Sequence, residues 1–143
     1  MKQDALAELL DEVRLLRHRM VQAGERLHAR EPVTLGMRAV LELLLRGPAT
    51  VPQLARSRHV SRQHIQVLVD GLLEQRLVTL APNAAHKRSF LVGLTRAGEQ
   101  TIRRMRRREI PLLRKAETRV RQRDAKSAAA VLRAIRASLG GEA

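Results

Sequence analysis

Five polar residues near the middle of the chain have the side chains needed to contact the edges of DNA bases. They lie in the stretch SRQHIQ and are Ser61, Arg62, Gln63, His64 and Gln66. An arginine can donate two hydrogen bonds to guanine, and a glutamine can pair at two points with adenine. The solvent-facing side of an amphipathic helix explains each residue equally well on its own. The elements around the cluster must therefore decide between the two interpretations.

A second polar cluster lies within the segment VTLAPNAAHKRSFLVGLT, residues 78–95. Apolar and polar residues alternate at its start, Pro82 and Asn83 supply turn chemistry, and a second apolar stretch follows at 90–94. This pattern predicts a β-hairpin. The hairpin tip presents Asn83, His86, Lys87 and Arg88 as candidate DNA contacts, and its basic members suit phosphate oxygens.

The first cluster is carried by the second of two helices joined by a tight turn. Thr50, Pro52 and Gln53 have capping-box spacing and begin a short helix that ends near Arg58. Ser61 can cap the next helix, whose apolar residues recur at three- and four-residue steps. Two such helices indicate a helix-turn-helix. Because a hairpin follows directly, we predict a winged helix, with the N-terminal part of the second helix in the major groove.

Further helices are predicted on the N-terminal side. An apolar stripe begins at Leu6 and continues toward Leu27, and this helix should end before Pro32. Thr34 can cap a helix that runs to about Leu45, where glycine and proline follow.

The C-terminal side is predicted to be helical and strongly basic. Thr95 caps a long helix that contains RRMRRRE at 103–109, a run that either adds phosphate contacts or forms a solvated face. Pro111 should kink or interrupt this helix, because proline lacks the amide donor and clashes with the preceding turn. A final helix carries a second apolar stripe and stops at Gly140 and Gly141.

The composition favours a helical protein that binds polyanions. The chain has 143 residues and a formal charge of +14, from 28 Lys and Arg against 14 Asp and Glu. A field of this sign attracts nucleic acid. An anionic membrane surface is the competing partner, but such binding usually uses aromatic anchors. Phe90 is the one aromatic residue, so nucleic acid is the leading partner and a core of Leu, Val, Ala and Ile is expected.

Catalysis and bound metals are not expected. The five histidines lack tight metal-ligand spacing and should lie at the surface or in the groove, and cysteine is absent. Ser61 and His64 could resemble a nucleophile and its base, but a capping serine and a groove-facing histidine explain the same spacing. We therefore expect no enzyme activity and no cofactor.

The N-terminal stretch MKQDALAELLDEVRLLRHRM carries charges throughout. It has neither the apolar centre of a signal peptide nor a run of about 20 apolar residues that could span a membrane. We expect a soluble cytoplasmic protein associated with the nucleoid.

The order of these motifs resembles the MarR family of bacterial winged-helix transcription regulators. The matching stretches are VTLGMRAVLELL, TVPQLARSRHVSRQHIQVLVDGLLEQRLVTL and HKRSFLVGLTRAG. The resemblance implies a homodimer with interleaved terminal helices and two winged helices on successive major grooves of a pseudo-palindromic operator. It also implies a small anionic or phenolic ligand between the dimer helices and the DNA-binding lobe.

The chain departs from the family pattern at four positions. His86 stands where the wing usually has an aspartate, and Arg38 stands where an aromatic is common. Arg58 replaces a common leucine, and Arg76 replaces the usual glycine after the recognition helix. The bracing of the wing and the packing of the lobe are therefore expected to differ from the family pattern.

The expected fold is mainly α with a small β-hairpin wing. Residues 1–31 form an N-terminal dimerisation helix, 32–98 the winged helix-turn-helix lobe, and 99–143 the connecting and C-terminal dimerisation helices of one structural domain. The expected function is a sequence-specific regulator of double-stranded DNA, acting as a ligand-responsive repressor. The alternatives are a basic architectural protein without sequence choice and a winged helix that binds protein partners.

Overall fold

The computed structural model describes residues 2–86 and 88–140, apart from the side chain of Lys2. Within these residues the chain forms helices and one antiparallel hairpin, which confirms the predicted fold class. The elements are α1 (Lys2–Leu27), α2 (Leu35–Leu44), α3 (Val51–Arg58), α4 (Arg62–Glu74), β1 (Val78–Pro82), β2 (Phe90–Leu94), α5 (Arg96–Glu117) and α6 (Gln122–Leu139).

The helix starts follow from side-chain caps that the sequence predicts. Thr34 accepts a hydrogen bond from the amide of Met37. Thr50 and Gln53 form a complete capping box, with the Thr50 amide donating to Gln53 Oε1 at 2.9 Å. The Thr95 hydroxyl accepts from the Gly98 amide at 3.1 Å. Each cap satisfies an amide that the first helical turn leaves without a partner, so these bounds are fixed locally.

Pro111 does not interrupt α5, which runs continuously from Arg96 to Glu117. The prediction of an interruption is therefore wrong. A proline inside a helix removes one amide donor, and good helix formers such as Leu112, Leu113 and Ala116 follow it here. Their propensity sustains the helix beyond the missing hydrogen bond.

The chain divides into two compact units, residues 1–106 and residues 107–143. The first unit holds an aliphatic core in which Val40, Leu41, Val69, Leu72 and Val92 are fully buried or nearly so. The start of α5 belongs to this core, since Ile102 and Met105 are also buried. The division of the chain at residues 31 and 98 stays a prediction.

The hairpin is fastened to the lobe on two sides. Val92 exchanges two backbone hydrogen bonds with Ala49, of 2.8 and 3.0 Å, so the α2–α3 connection lies beside β2. On the other side, the Leu77 carbonyl accepts from the Thr95 amide at 3.1 Å. Gly98 lies against the same carbonyl, because a Cβ built at Gly98 would be 1.9 Å from Leu77 O. Only glycine fits this crossing of α5 and the strand entry.

Candidate nucleic-acid interface

Ser61 marks the start of α4 and fixes its first turn. Its backbone is extended, and its hydroxyl oxygen accepts a hydrogen bond from the His64 amide at 3.0 Å. This confirms that Ser61 caps the helix. The hydroxyl proton stays available to donate to a phosphate, so the capping role and a DNA contact are compatible.

The structure brings the predicted α4 residues together on the exposed side of the helix. Ile65, Val69 and Leu72 form the buried side. The side chains exposed in the first turns are Arg62, Gln63, His64 and Gln66, together with the capping Ser61. Gln66 Nε2 donates a 2.8 Å hydrogen bond to Asp70 Oδ1, which holds the amide in place and leaves its oxygen able to accept.

The wing consists of β1, β2 and residues 83–89 between them. The strands pair from Val78 with Leu94 to Pro82 with Phe90. Asn83 Oδ1 accepts from the Ala85 amide at 3.1 Å, and the Asn83 carbonyl accepts from the His86 amide at 3.3 Å. The first bond forms an Asx turn and the second closes a β-turn, a local brace of the kind asparagine provides in loops. Asn83 thus orders the loop that carries His86 in place of the family's aspartate.

The remaining wing residues are placed as follows. His86 and Arg88 are exposed, and Asn83 is half-buried. Lys87 lies outside the described residues. The Ser89 amide donates to the His86 carbonyl at 3.2 Å, which closes the loop onto β2. Arg88 is therefore carried by a turn with hydrogen bonds on both sides of it.

Sequence reasoning missed two exposed apolar residues of the lobe. Val67 is 63% exposed on α4, and Phe90 is 58% exposed at the start of β2. A helical wheel would have found Val67, since it lies four residues after Gln63 and outside the apolar stripe. The exposure of Phe90 has no such signal, because a strand position at the end of a hairpin can be covered or open.

The arginines of the chain fall into two groups by their partners. On α5, Arg103 pairs with Glu99 at 2.9 Å and Arg104 pairs with Glu31 at 2.7 Å. Within the described part of the chain, neither Arg62 nor Arg88 forms an ion pair. Carboxylates thus compensate the positive charges of Arg103 and Arg104. The charges of Arg62 and Arg88 are not compensated within the described residues, so they are available to an anionic partner.

The described residues give little support to other site chemistries. Among residues 2–86 and 88–140, no group of three or more His, Cys, Asp and Glu could hold a metal ion. His28 is buried at the end of α1, so the expectation that every histidine lies at the surface is wrong for it. The chain turns directly after His28, whose carbonyl accepts a hydrogen bond from the Glu31 amide at 2.9 Å. No described helix is long and apolar enough to span a membrane.

Comparison with known proteins agrees with this geometry. A sequence profile of the MarR family matches residues 38–89. The protein Rv2011c of Mycobacterium tuberculosis, itself uncharacterized, is 32% identical over 99 residues, which are 69% of each chain. The MarR family transcription regulator SP03579 has a crystal structure that matches with a TM-score of 0.79 at 30% identity, covering 94% of this chain and 89% of that chain.

More distant structures share the fold. BldR from Sulfolobus solfataricus matches with a TM-score of 0.82 at 16% identity, covering 97% of this chain and 99% of its own. MepR of S. aureus, in a complex with DNA, matches with a TM-score of 0.78 at 17% identity, covering 90% and 95%.

A capped helix-turn-helix followed by a braced hairpin defines the class of winged helix-turn-helix DNA-binding proteins. The chain belongs to the MarR family, as the sequence motifs predict. It is a DNA-binding transcription regulator, and the family consists of regulators and not of enzymes.

Proposed function

We propose that the chain is a ligand-responsive repressor that binds a pseudo-palindromic operator as a homodimer. The observation that carries this proposal is the contrast between paired and unpaired arginines. Arg62 on α4 and Arg88 on the wing keep their charge, while Arg103 and Arg104 are neutralised by carboxylates. Uncompensated guanidinium groups on a winged helix suit guanine edges and phosphates, which supports the proposal.

The α4 side chains supply the base contacts in this proposal. Arg62 pairs with guanine, and Gln63 and Gln66 pair with adenine, in the two-point geometry of each side chain. The Ser61 hydroxyl donates to a phosphate beside the helix start, and the His64 imidazole faces the groove. The complete α4 set is Ser61, Arg62, Gln63, His64 and Gln66.

The wing contacts the neighbouring backbone. Arg88 binds a phosphate, and the Asn83 turn holds the loop in the required shape. The complete wing set is Asn83, His86, Lys87 and Arg88. Lys87 enters on its sequence position alone.

Homodimer formation is supported by the exposed stripe of α6. This helix has no buried residue within Gln122–Leu139. Val131, Leu132 and Leu139 are 47%, 40% and 76% exposed. An apolar stripe left open in one chain is suited to a second copy, because burying it removes apolar area from water.

The effector is a small anionic or phenolic molecule in this proposal. Arg38 donates a 2.6 Å hydrogen bond to Glu42, and Arg106 Nε lies 3.9 Å from the same carboxylate. An anion would compete with Glu42 for the two guanidinium groups and weaken the contact between α2 and α5. We expect benzoate or phenol to release bound DNA and the Arg38→Gln variant to respond less. DNA binding that is indifferent to both compounds contradicts this part.

The decisive experiment selects bound duplexes from a random pool at moderate salt. We expect the selected duplexes to share a palindromic sequence, and the affinity for that sequence to be far above the affinity for a scrambled duplex. Arg62→Ala should weaken binding and relax the base preference, while Arg88→Ala should weaken binding to all duplexes and lower the salt slope by about 1 per contact. The matched control is Arg103→Ala, which removes an arginine already paired with Glu99. Equal affinity for scrambled duplexes would instead indicate a basic architectural protein.

The dimer is tested by two variants with the same change of charge. Leu132→Glu places a carboxylate in the α6 stripe and should give a monomer in sedimentation. Ala130→Glu lies on the opposite side of the same helix and should leave the dimer intact. A dimer that survives Leu132→Glu would place the interface elsewhere.

A further inference from the structure

Val67 is an apolar residue in the middle of the polar side of α4. Its side chain is 63% exposed, whereas Val69, two residues further along the same helix, is fully buried. Residues three and four apart share one side of a helix. Val67 therefore lies beside Gln63 and Asp70, directly opposite the core.

The free chain gives Val67 no packing role. The lobe core on the other side of α4 is formed by Ile65, Val69 and Leu72. An exposed β-branched residue also lowers helix propensity slightly, because one χ1 rotamer is enforced. That same restriction holds its two methyl groups in a fixed position relative to the helix.

We propose that Val67 reads the C5-methyl group of a thymine in the major groove. This inference rests on the proposed function, in which α4 occupies that groove. The thymine methyl is the apolar feature among the base edges displayed there, and small apolar side chains recognise it by contact. Val67 lies four residues beyond Gln63, about 6 Å further along the helix axis, so the thymine belongs to a base pair next to those that Arg62 and Gln63 read in the proposed complex.

The side chains beside Val67 are held in position by a hydrogen bond. Gln66 is held by its 2.8 Å hydrogen bond to Asp70, so polar groups of fixed position lie beside the valine. A base pair facing Val67 is thus selected for its thymine methyl group.

The test removes the methyl group from the DNA and not from the protein. The duplex is the winner selected by the wild-type chain, and thymines are replaced one position at a time by deoxyuridine, symmetrically in both half-sites. We expect one position at which affinity falls about fourfold for each half-site, the equivalent of one methyl group returned to water.

Three variants identify the reader of that methyl group. Val67→Ala should bind the thymine and uracil duplexes equally, and Val67→Thr, which keeps one methyl group, should retain part of the difference. Val60→Ala is the matched control, because Val60 is 39% exposed and precedes the α4 cap. Val60→Ala should leave the ratio of the affinities for the thymine and uracil duplexes unchanged, even if its affinity for both duplexes falls. The ratio is measured within each variant, so differences in stability cancel.

Three outcomes overturn the inference. If no thymine position is sensitive, or if Val67→Ala keeps the full sensitivity, Val67 does not read a methyl group, while specific binding by the wild type leaves the proposed function standing. If the wild type selects no duplex at all, the proposed function and the inference fail together.

Discussion

The guanidinium group of Arg104 donates two hydrogen bonds to the carboxylate of Glu31, Nε to Oε1 at 2.7 Å and Nη2 to Oε2 at 2.9 Å. The Glu31 side chain is only 5% exposed. The pair joins the α1–α2 connection to α5, and the hydrogen bond to Glu31 raises the pKa of Arg104. A raised pKa means that the guanidinium's share of this stabilisation is lost only as the pH rises through the arginine range, so it does not vary near neutral pH.

Loss of this pair should destabilise the lobe. Arg104→Met removes two hydrogen-bond donors from a buried carboxylate, and we expect the free energy of unfolding to fall by about 2 kcal/mol. The control is Arg103→Met, whose pair with Glu99 has side chains 55% and 50% exposed. Such a surface pair contributes about 0.5 kcal/mol or less. Urea unfolding of both variants measures the difference, and equal losses would contradict a special role for Arg104.

Gly98 should not accept a side chain. The 1.9 Å approach of a Cβ to Leu77 O means that Gly98→Ala must push α5 away from the strand entry. We expect a loss of about 3 kcal/mol or more of unfolding free energy, at the upper end of overpacking costs. Gly93→Ala is the control, because the nearest atom to its Cβ is Pro48 Cγ at 3.8 Å, an ordinary contact. Thermal unfolding of the two variants should separate them clearly.

Local chemistry explains how much of this fold the sequence predicts. Caps at Thr34, Thr50 and Ser61 act over three residues, so their spacing is visible in the sequence and all three form. The pairing of Arg104 with Glu31 joins residues 73 apart, and no spacing rule anticipates it. The continuity of α5 through Pro111 likewise depends on the residues around the proline. Sequence therefore predicts element starts well and cannot reveal which arginines are already paired.

The sequence likewise predicts some features of the candidate site and not others. The positions of Ser61 and Arg62 on α4 follow from helical periodicity, and they lie where the motif predicts. The brace of the wing does not follow from the family pattern, because it is a turn that Asn83 forms within the loop. Val67 was overlooked because a single valine among polar residues is not a motif, although a helical wheel places it outside the apolar stripe of α4.

Arg76 should be a point of strain. It has φ +57°, in the left-handed region, where a β-carbon costs about 1 kcal/mol or more. Arg76→Gly should therefore raise the free energy of unfolding by about 0.5 to 1 kcal/mol, after the entropy of the freer unfolded chain is subtracted. Arg56→Gly makes the same change inside α3 and should lower it by about 1 kcal/mol. Urea unfolding that gives both variants the same sign would show that backbone conformation is not the cause.

Asp70 should lower the affinity for DNA and raise the preference for the operator over a scrambled duplex. Its carboxylate lies on the exposed side of α4, where it accepts a hydrogen bond from Gln66. In the proposed complex it would face the negative field of the DNA. Asp70→Asn removes that repulsion and should tighten binding to every duplex about threefold or more, while the ratio of operator to scrambled affinity falls. Glu74→Gln is the matched control at the end of the helix, further from the N-terminal turns that are proposed to contact bases, and its effect should be smaller. Titrations of both variants against operator and scrambled duplexes at two salt concentrations measure this, and a variant that loses affinity for both duplexes would mean that Asp70 acts mainly by positioning Gln66.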